Sequence, residues 1–290
     1  MDVVELIKSF ILGIIQGITE WLPISSTGHM ILFNSFLPLD SSRYSGGVEF
    51  IELFMTVIQF GSILAVILLF WGKLNPFSKS KSSLERRDTF ALWIKVLIGS
   101  IPAAIIGLVF KNQIHKYLYN GLIVAFMLIL YGIFFILVEN RNSCIKPRIS
   151  MLNKLDYKTA FLIGIFQALA LVPGTSRSGA TILGALLIGC SRYIGAEFSF
   201  FLAIPTMLGA SVLEICSYFK HYGVGFSHNE WGVLLIGFVV AFIVSIFAIS
   251  LLMKFIKSHS FKSFAWYRIL IGIIVVIMFM TGFLNMSATI

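Results

Sequence analysis

Two short polar segments interrupt apolar stretches of this chain and carry most of its residue types that can do chemistry. The first polar segment is Glu20-Trp-Leu-Pro-Ile-Ser-Ser-Thr-Gly-His29, and the second is Pro173-Gly-Thr-Ser-Arg-Ser-Gly-Ala-Thr181. Hydroxyl groups and glycines are clustered in both segments, together with a carboxylate and an imidazole in the first and a guanidinium in the second. This combination indicates a site that handles phosphate.

The second polar segment has the composition of an anion-binding loop. Backbone N–H groups at a helix start bind phosphate readily, and Arg177 adds a planar pair of donors that matches two phosphate oxygens. A charged side chain at membrane depth costs on the order of 2.5–3.5 kcal/mol, which argues against a purely structural role. The alternative is that Arg177 reaches to the membrane interface while the small residues allow close helix packing. The other residues expected to bind phosphate here are Gly174, Thr175, Ser176, Ser178 and Thr181.

The first polar segment supplies nucleophilic and titratable groups. Phosphoryl transfer needs a nucleophile, a proton donor or acceptor near neutral pH, and positive charge on the phosphate oxygens. Ser26, His29 and Arg177 match these three roles, and Glu20 is suited to accept a proton or to hold a divalent cation. Gln16 precedes Glu20 by four residues and therefore shares its helix face. Further phosphate contacts are expected from Ser25, Thr27 and Gly28.

The composition predicts that helices in a membrane position these segments. The chain is 58% hydrophobic and 12% charged, with a mean hydropathy of +0.94, which lies outside the range of soluble globular domains. A hydrocarbon core of ~30 Å needs roughly 20 helical residues. Six apolar runs are long enough to span it, at 50–72, 91–110, 119–138, 196–217, 231–253 and 268–284. We therefore expect an all-α, multi-pass membrane protein.

The distribution of basic residues predicts the orientation of these spans. Lys and Arg gather in three expected loops, which by the positive-inside tendency face the cytoplasm. The net charge of +9 is then a topology signal with some attraction to anionic membrane lipids, and a nucleic-acid partner is not expected. The loop residues are Lys73, Lys79, Lys81, Arg86 and Arg87; Arg141, Lys146, Arg148, Lys154 and Lys158; and Lys254, Lys257, Lys262 and Arg268.

An internal repeat is visible in the sequence. Residues 15–28 resemble residues 166–179 with a one-residue gap, and Glu49-Phe50 is matched by Glu197-Phe198 at a similar offset. We interpret residues 1–290 as a single membrane domain with halves of about 1–140 and 150–290. A chance match between apolar sequences is the alternative.

Each half begins with the pattern of a re-entrant helical hairpin. The stretches 1–37 and 159–189 contain an apolar arm, a polar interruption with Pro and Gly, and a second arm too short to span. Three spans separate the two hairpins, so the halves are predicted to be inverted repeats. Such repeats place their broken helices near the midplane of the membrane, with helix N-termini directed at anions.

Both polar segments resemble the signature segments of the undecaprenyl-diphosphate phosphatase family, also called bacitracin-resistance proteins. The similarity continues through residues 58–65, 191–193 and 197–203. The resemblance implies an enzyme of the bacterial cytoplasmic membrane that removes the terminal phosphate of undecaprenyl diphosphate. It thereby recycles the polyprenyl lipid carrier for peptidoglycan and other cell-wall polymers and confers bacitracin resistance. It also implies a site open toward the outer face and a need for a divalent cation, Mg²⁺ or Ca²⁺.

Carried over residue by residue, the resemblance implies that Glu20 and the residue at position 16 are important for function. Ser26, His29, Ser176, Arg177 and Thr181 would then line the site. Some members of the family have Glu where this chain has Gln16. An amide oxygen can still coordinate a cation, so the expected metal ligands are Glu20 and Gln16, with Glu20 as the one anionic ligand of the two.

Three questions stay open at the level of sequence. The attacking group is either Ser26, activated by His29 or Glu20, or a water molecule. The alternative function is a transporter or flippase of an isoprenyl phosphate lipid, since inverted repeats with broken helices are common in transporters. A transporter would use the arginine and hydroxyls but would not need a nucleophile and a proton acceptor together. Oligomeric state is not visible in the sequence, and a homodimer stays open.

Overall fold

The protein is a bundle of α-helices, described in the computed structural model for residues 2–223 and 225–282. Within these residues the helices are α1 (Val3–Thr19), α2 (Ser26–Phe36), α3 (Val48–Leu69), α4 (Trp71–Leu74), α5 (Ser83–Leu118), α6 (Gly121–Asn142), α7 (Tyr157–Leu169), α8 (Arg177–Ile188), α9 (Arg192–Tyr222), α10 (His228–Phe255) and α11 (Lys262–Met280). Six of these, α3, α5, α6, α9, α10 and α11, are long and apolar enough to cross a membrane. The six predicted spans are confirmed, except that positions 283–284 of the last lie outside the described residues.

The helix starts are set by local capping residues, and two kinds of cap each occur twice along the chain. Asp2 caps α1 by accepting from the N–H of Val4, and Asp156 caps α7 in the same way. Capping boxes, in which a serine and a glutamate three residues later bond each other's backbone, open both α5 and α10. The pairs α1 and α7, and α5 and α10, thus begin with the same kind of cap, whereas the division of the chain into two repeated halves stays a prediction. Their inverted orientation in a membrane stays a prediction.

Each predicted hairpin is a pair of short helices around a polar break. α1 packs on α2, and α7 packs on α8. The second helices have 11 and 12 residues, which at 1.5 Å per residue reach about 17–18 Å and cannot cross a hydrocarbon core of ~30 Å. Two interrupted helix pairs are therefore present, and their re-entry to the same membrane face stays a prediction.

Packing between helices holds both hairpins in the bundle. α1 packs along α10, while α7 packs along α5, so each hairpin leans on a long helix of the opposite half. Small residues allow this closeness: a Cβ on Gly17 would lie 2.9 Å from the carbonyl oxygen of Ala241, and one on Gly164 would lie 2.1 Å from that of Gly99. α3 contacts α9, and α6 contacts α11. The polar breaks consequently lie inside the bundle.

Candidate active site

Both polar segments fold into the start of a short helix with the same unusual backbone. Ser25 precedes α2 with φ 74°, and Ser176 precedes α8 with φ 71°. Within the described part of the chain, these two are the non-glycine residues with positive φ. Each serine hydroxyl accepts a hydrogen bond from the N–H of the glycine three residues later, Gly28 or Gly179. Non-glycine residues in this region are strained by roughly 1–3 kcal/mol and concentrate at functional sites.

The two polar segments touch each other although about 150 residues separate them in sequence. The hydroxyl of Ser178, at the start of α8, donates to the carbonyl oxygens of Glu20 and Leu22 at 3.1 and 3.2 Å. Ser26, Thr27, Ser176 and Arg177 are partly exposed, whereas the residues around them are mostly buried. The two helix starts therefore meet at one place, and the first residues of each start keep some exposed surface there.

Glu20 is the centre of this junction. It lies at the C-terminal end of α1 and is 6% exposed. One carboxylate oxygen accepts from the amide of Gln16 at 2.9 Å and from the hydroxyl of Ser26 at 2.8 Å, and the other accepts from the guanidinium of Arg177 at 3.0 Å. A serine hydroxyl, a carboxylate and an arginine are thus in direct contact. This is the arrangement that a nucleophile, its base and an anion-binding cation require.

Arg177 is held by residues of the first polar segment and of α9, but one of its donors has no partner among the described residues. Besides Glu20, its guanidinium donates to the carbonyl oxygen of Ser199 at 3.1 Å and lies 5.1 Å from the ring centre of Trp21. Its Nε is buried and has no hydrogen-bond partner among the described residues, and the same holds for the hydroxyl of Thr175. Buried donors without partners are unusual and mark positions where a bound group can complete the hydrogen bonding.

His29 is positioned by α11 and by its own helix. Its Nδ1 lies 2.7 Å from the carbonyl oxygen of Ser25, and its Nε2 lies 2.7 Å from the hydroxyl of Tyr267. A carbonyl can only accept, so Nδ1 carries a proton, and in the neutral form of the ring Nε2 accepts from Tyr267. His29 has no described hydrogen bond to Ser26. The structure therefore pairs Ser26 with Glu20 and pairs His29 with a tyrosine that the sequence did not single out.

Arg268 is a correction to the sequence interpretation, which placed it in a basic loop. It lies within α11 and is completely buried. Its guanidinium donates to the carbonyl oxygen of Pro23 in the first polar segment at 3.0 Å and to those of Gly174 and Thr175 in the second at 2.9 Å each. Arg268 therefore joins the backbones of both segments. A charged residue inside an apolar helix was the available signal, since such residues are rare and functional.

The remaining predicted phosphate contacts occupy two kinds of position. The hydroxyl of Thr181 is buried and bonded to Ser199 at 2.5 Å, and that of Ser178 is bonded to the first segment as described above. Gly174 has φ 88°, and a Cβ there would lie 2.5 Å from the carbonyl oxygen of Val124. These residues are buried, whereas Ser26, Thr27 and Ser176 are partly exposed. Their binding of phosphate stays a prediction.

The junction offers few ligands for a metal ion. Among the described residues, groups of three or more His, Cys, Asp or Glu suited to hold a metal are absent. Glu20 provides a carboxylate with the hydroxyl of Ser26 next to it, whereas Gln16 faces this carboxylate with its amide nitrogen. Oxygen donors of this kind suit Mg²⁺ or Ca²⁺, and Mg²⁺ commonly takes one or two carboxylates and completes its shell with water and substrate phosphate.

The fold and the junction define a class of protein: a multi-pass helical membrane protein in which two interrupted helix pairs join a carboxylate, a serine and an arginine. Comparison with known sequences makes this assignment specific. Residues 9–274 match the family described as bacitracin resistance protein BacA, and the chain belongs to that family.

Curated relatives cover nearly the whole chain. An undecaprenyl-diphosphatase from Acetivibrio thermocellus is 55% identical over 276 residues, which are 95% of this chain and 98% of the relative. Undecaprenyl-diphosphatases from Limosilactobacillus fermentum and Enterococcus faecalis are each 51% identical, over 95% and 96% of this chain and 98% of each relative. The family resemblance expected from the two polar segments is confirmed.

Proposed function

We propose that this protein is a membrane phosphatase that hydrolyses undecaprenyl diphosphate to undecaprenyl phosphate and phosphate. Relatives that share half of its residues carry the name of this activity. The observation that supports the chemistry most directly is the contact of Ser26 and Arg177 with the same carboxylate, Glu20. Recycling of the lipid carrier for cell-wall synthesis, and with it bacitracin resistance, would follow from this reaction.

In the proposed first step, Ser26 attacks the terminal phosphorus while Glu20 takes its proton. A bond forms between the serine oxygen and phosphorus, and the bond from phosphorus to the bridging oxygen breaks. Undecaprenyl phosphate leaves with the electron pair of that bond. Glu20 gives its proton to the departing undecaprenyl phosphate. Water then attacks the phosphoserine, and Glu20 takes a proton from this water and passes it to the Ser26 oxygen as phosphate leaves, which restores the hydroxyl of Ser26. In the alternative mechanism, water held by Glu20 attacks the phosphorus directly.

The pairing of Glu20 with Arg177 suits such a reaction. When Glu20 accepts the proton it loses its negative charge, so the guanidinium loses its counterion at the moment when charge shifts on the phosphoryl group. Arg177 then has its full positive charge for the phosphate oxygens, in a site largely shielded from water. Its Nε and the hydroxyl of Thr175, which lack partners among the described residues, are available for the same anion.

A divalent cation, Mg²⁺ or Ca²⁺, is part of the proposal. Glu20 would hold it through its carboxylate, and Gln16 would hold it through its amide oxygen after the amide, whose nitrogen now faces Glu20, has turned. The diphosphate would supply further ligands. When bound, the cation would neutralise charge on the diphosphate and orient it. Because Gln16 is neutral, we expect the cation to bind more weakly without substrate than with it.

An apolar groove beside the junction is suited to the prenyl chain. The groove has a volume of about 850 Å³ and lies between the end of α1, the second half of α10 and the start of α11. Leu22, two residues after Glu20, forms one of its walls together with Ile18, and Phe247 and Leu251 form another. Burial of hydrocarbon stabilises by roughly 0.8 kcal/mol per CH₂ group, so a long prenyl chain stays in such a groove or in the bilayer.

The site would lie in the bacterial cytoplasmic membrane and open to its outer face. The outward opening is what the family resemblance implies. The distribution of basic residues supports the orientation of the chain, because it favours a cytoplasmic position for the loops 73–87, 141–158 and 254–262. Labelling of single cysteines introduced into these loops and into residues 38–49, in intact cells, tests this orientation. Labelling of the basic loops by an impermeant reagent would contradict it.

The test of the function is phosphate release from undecaprenyl diphosphate by the purified protein in detergent, with and without Mg²⁺ or Ca²⁺. We expect cation-dependent release from the wild type and loss of at least a hundredfold in Arg177→Ala. Acid quenching of a reaction with substrate labelled in the terminal phosphate is expected to trap label on Ser26. Full turnover by Ser26→Ala would show that water attacks directly, and no release by folded wild-type protein would favour the transporter function.

A further inference from the structure

A cavity lined by basic residues lies away from the junction of the polar segments. It has a volume of about 700 Å³ and is bordered by the end of α6, the end of α8, the start of α9 and the residue that follows α10. We call it the basic cavity. Its lining contains five cationic side chains and, among the described residues, no carboxylate: Arg141, Lys146, Arg148, Arg192 and Lys257. A cavity of this size can accept the headgroup of a lipid or a small ligand.

Two of the five cations already have structural partners. Arg192 forms a paired ion contact with the buried carboxylate of Glu139. Arg148 donates to the carbonyl oxygen of Ile188 at 2.7 Å and so caps the end of α8, where Asn142 also donates to a backbone carbonyl. Arg148 therefore supplies the positive charge that the C-terminal end of α8 favours.

The other three cations have no carboxylate partner within residues 2–223 and 225–282. Arg141, Lys146 and Lys257 are exposed, and the contact described for them is the approach of Lys257 to the ring of Tyr193 at 5.8 Å. Burial raises the pKa of the Cys190 thiol in the cavity wall to about 12, so it remains neutral at physiological pH. Positive charge in the basic cavity is thus not balanced by the residues that surround it.

The wall of the cavity is fixed by backbone hydrogen bonds. The N–H groups of Arg148 and Ile149 donate to the carbonyl oxygen of Gly189 at 2.9 and 3.1 Å, and the N–H of Ser191 donates to the carbonyl oxygen of Ile149 at 2.8 Å. These bonds join the loop after α6 to the loop before α9. The first residues of α9 also border the cavity, and the start of a helix favours negative charge.

We propose that the basic cavity binds a phosphate-bearing anion, either the headgroup of an anionic phospholipid or free phosphate. The cavity lies between two of the three basic loops, 141–158 and 254–262, and at the ends of membrane-crossing helices, where phospholipid headgroups are found. Phosphate oxygens match the donors of Arg141, Lys146 and Lys257. This site is separate from the proposed catalytic junction, to which none of these residues contributes a described contact.

Binding to the full-length protein in detergent, measured by native mass spectrometry, tests this proposal without using phosphatase activity. The ligands are phosphatidylglycerol, phosphatidylcholine and inorganic phosphate, each added to delipidated protein. The test variant is Arg141→Gln/Lys146→Gln/Lys257→Gln. The control variant removes the same charge from exposed positions outside the cavity, with Lys79→Gln, Arg87→Gln and Lys158→Gln.

Each Lys or Arg near an anionic surface contributes about a fivefold gain in binding, so the test variant is expected to bind about 100-fold more weakly. The control variant is expected to bind as the wild type does. The site is assigned to a lipid headgroup if the protein prefers phosphatidylglycerol to phosphatidylcholine and its binding of inorganic phosphate does not depend on the three cations. Binding of inorganic phosphate that is lost in the test variant assigns it to free phosphate.

Equal binding by the test variant and the wild type would overturn the proposal, as would an equal loss in the control variant. Lys146→Gln and Lys257→Gln are also measured singly, since each removes one exposed side chain and leaves the capping contacts of the cavity intact. Each is expected to weaken binding about fivefold. Unchanged binding in both single variants would likewise overturn the proposal.

Discussion

The contact between Ser26 and Glu20 predicts how the effects of replacing these two residues on the reaction rate combine. In Glu20→Gln the side chain keeps its shape and can still accept from Arg177 through its oxygen, but it can no longer take a proton. In Ser26→Ala the proposed nucleophile is absent. If Glu20 acts by taking the proton of Ser26, replacing Glu20 in a protein that already lacks Ser26 should have little further effect on the rate of phosphate release.

The magnitude follows from the roles of the groups. General base catalysis contributes typically 10²- to 10⁴-fold, so Glu20→Gln should slow the chemical step by about that factor, equivalent to about 3–5 kcal/mol. Because Ser26 donates to Glu20 at 2.8 Å, the two residues form one unit. The double variant should then be no more than about threefold slower than Ser26→Ala, with a coupling free energy of about 3–5 kcal/mol. Independent sites would instead add within about 0.5 kcal/mol.

The assay is single-turnover release of phosphate from undecaprenyl diphosphate, compared for wild type, both single variants and the double variant. Glu5→Gln is a matched control, because Glu5 lies on the same helix, is 3% exposed and also accepts three hydrogen bonds, from Lys8, Asp40 and Tyr44. It should retain activity to within about threefold. Multiplication of the two single effects in the double variant would refute the assignment of Glu20 as the base for Ser26.

Three further predictions concern the residues that support the junction. Arg268→Gln should lower the free energy of unfolding by at least about 3 kcal/mol, since three buried carbonyls lose a donor at roughly 1–3 kcal/mol each, and an unchanged thermal midpoint in detergent would contradict this. Tyr267→Phe should reduce kcat about 3- to 10-fold and shift the pH profile of kcat, because His29 loses its partner at Nε2. A pH profile parallel to that of the wild type would argue that Tyr267 has a structural role only. Gly174→Ala should destabilise by about 1–3 kcal/mol because of its positive φ and its close contact, whereas Gly209→Ala, where a Cβ meets nothing within 4 Å, should not.

Features that depend on local sequence were predictable. The six spans follow from the length of apolar runs, and the breaks in the hairpins follow from proline and glycine within such runs. The involvement of Glu20 and Arg177 could be proposed because charged residues at membrane depth are costly. Their direct contact could not be predicted, because it depends on how α1 and α8 pack against each other.

Arg268 and Tyr267 show where the prediction failed. The last span was predicted to begin at residue 268, so Arg268 was counted with the basic loop before it. The helix in fact begins at Lys262, which moves both residues inside it. Helix boundaries are the least certain part of a sequence-based assignment. An error of six residues was enough to hide a buried arginine that contacts both polar segments.

The two strained serines explain how one repeated backbone motif can serve a single reaction. Strain of this kind persists only where the surrounding structure enforces it, and here it occurs twice at the same position before a helix. The residue that follows the strained serine is Ser26 in one half and Arg177 in the other, and both contact Glu20. The counterpart of Gln16 in the second half, Gln167, is buried and has no described hydrogen-bond partner for its amide. The backbone repeat therefore brings two helix starts together, while the side chains have diverged so that one start carries the proposed nucleophile and the other carries the cation for its phosphate.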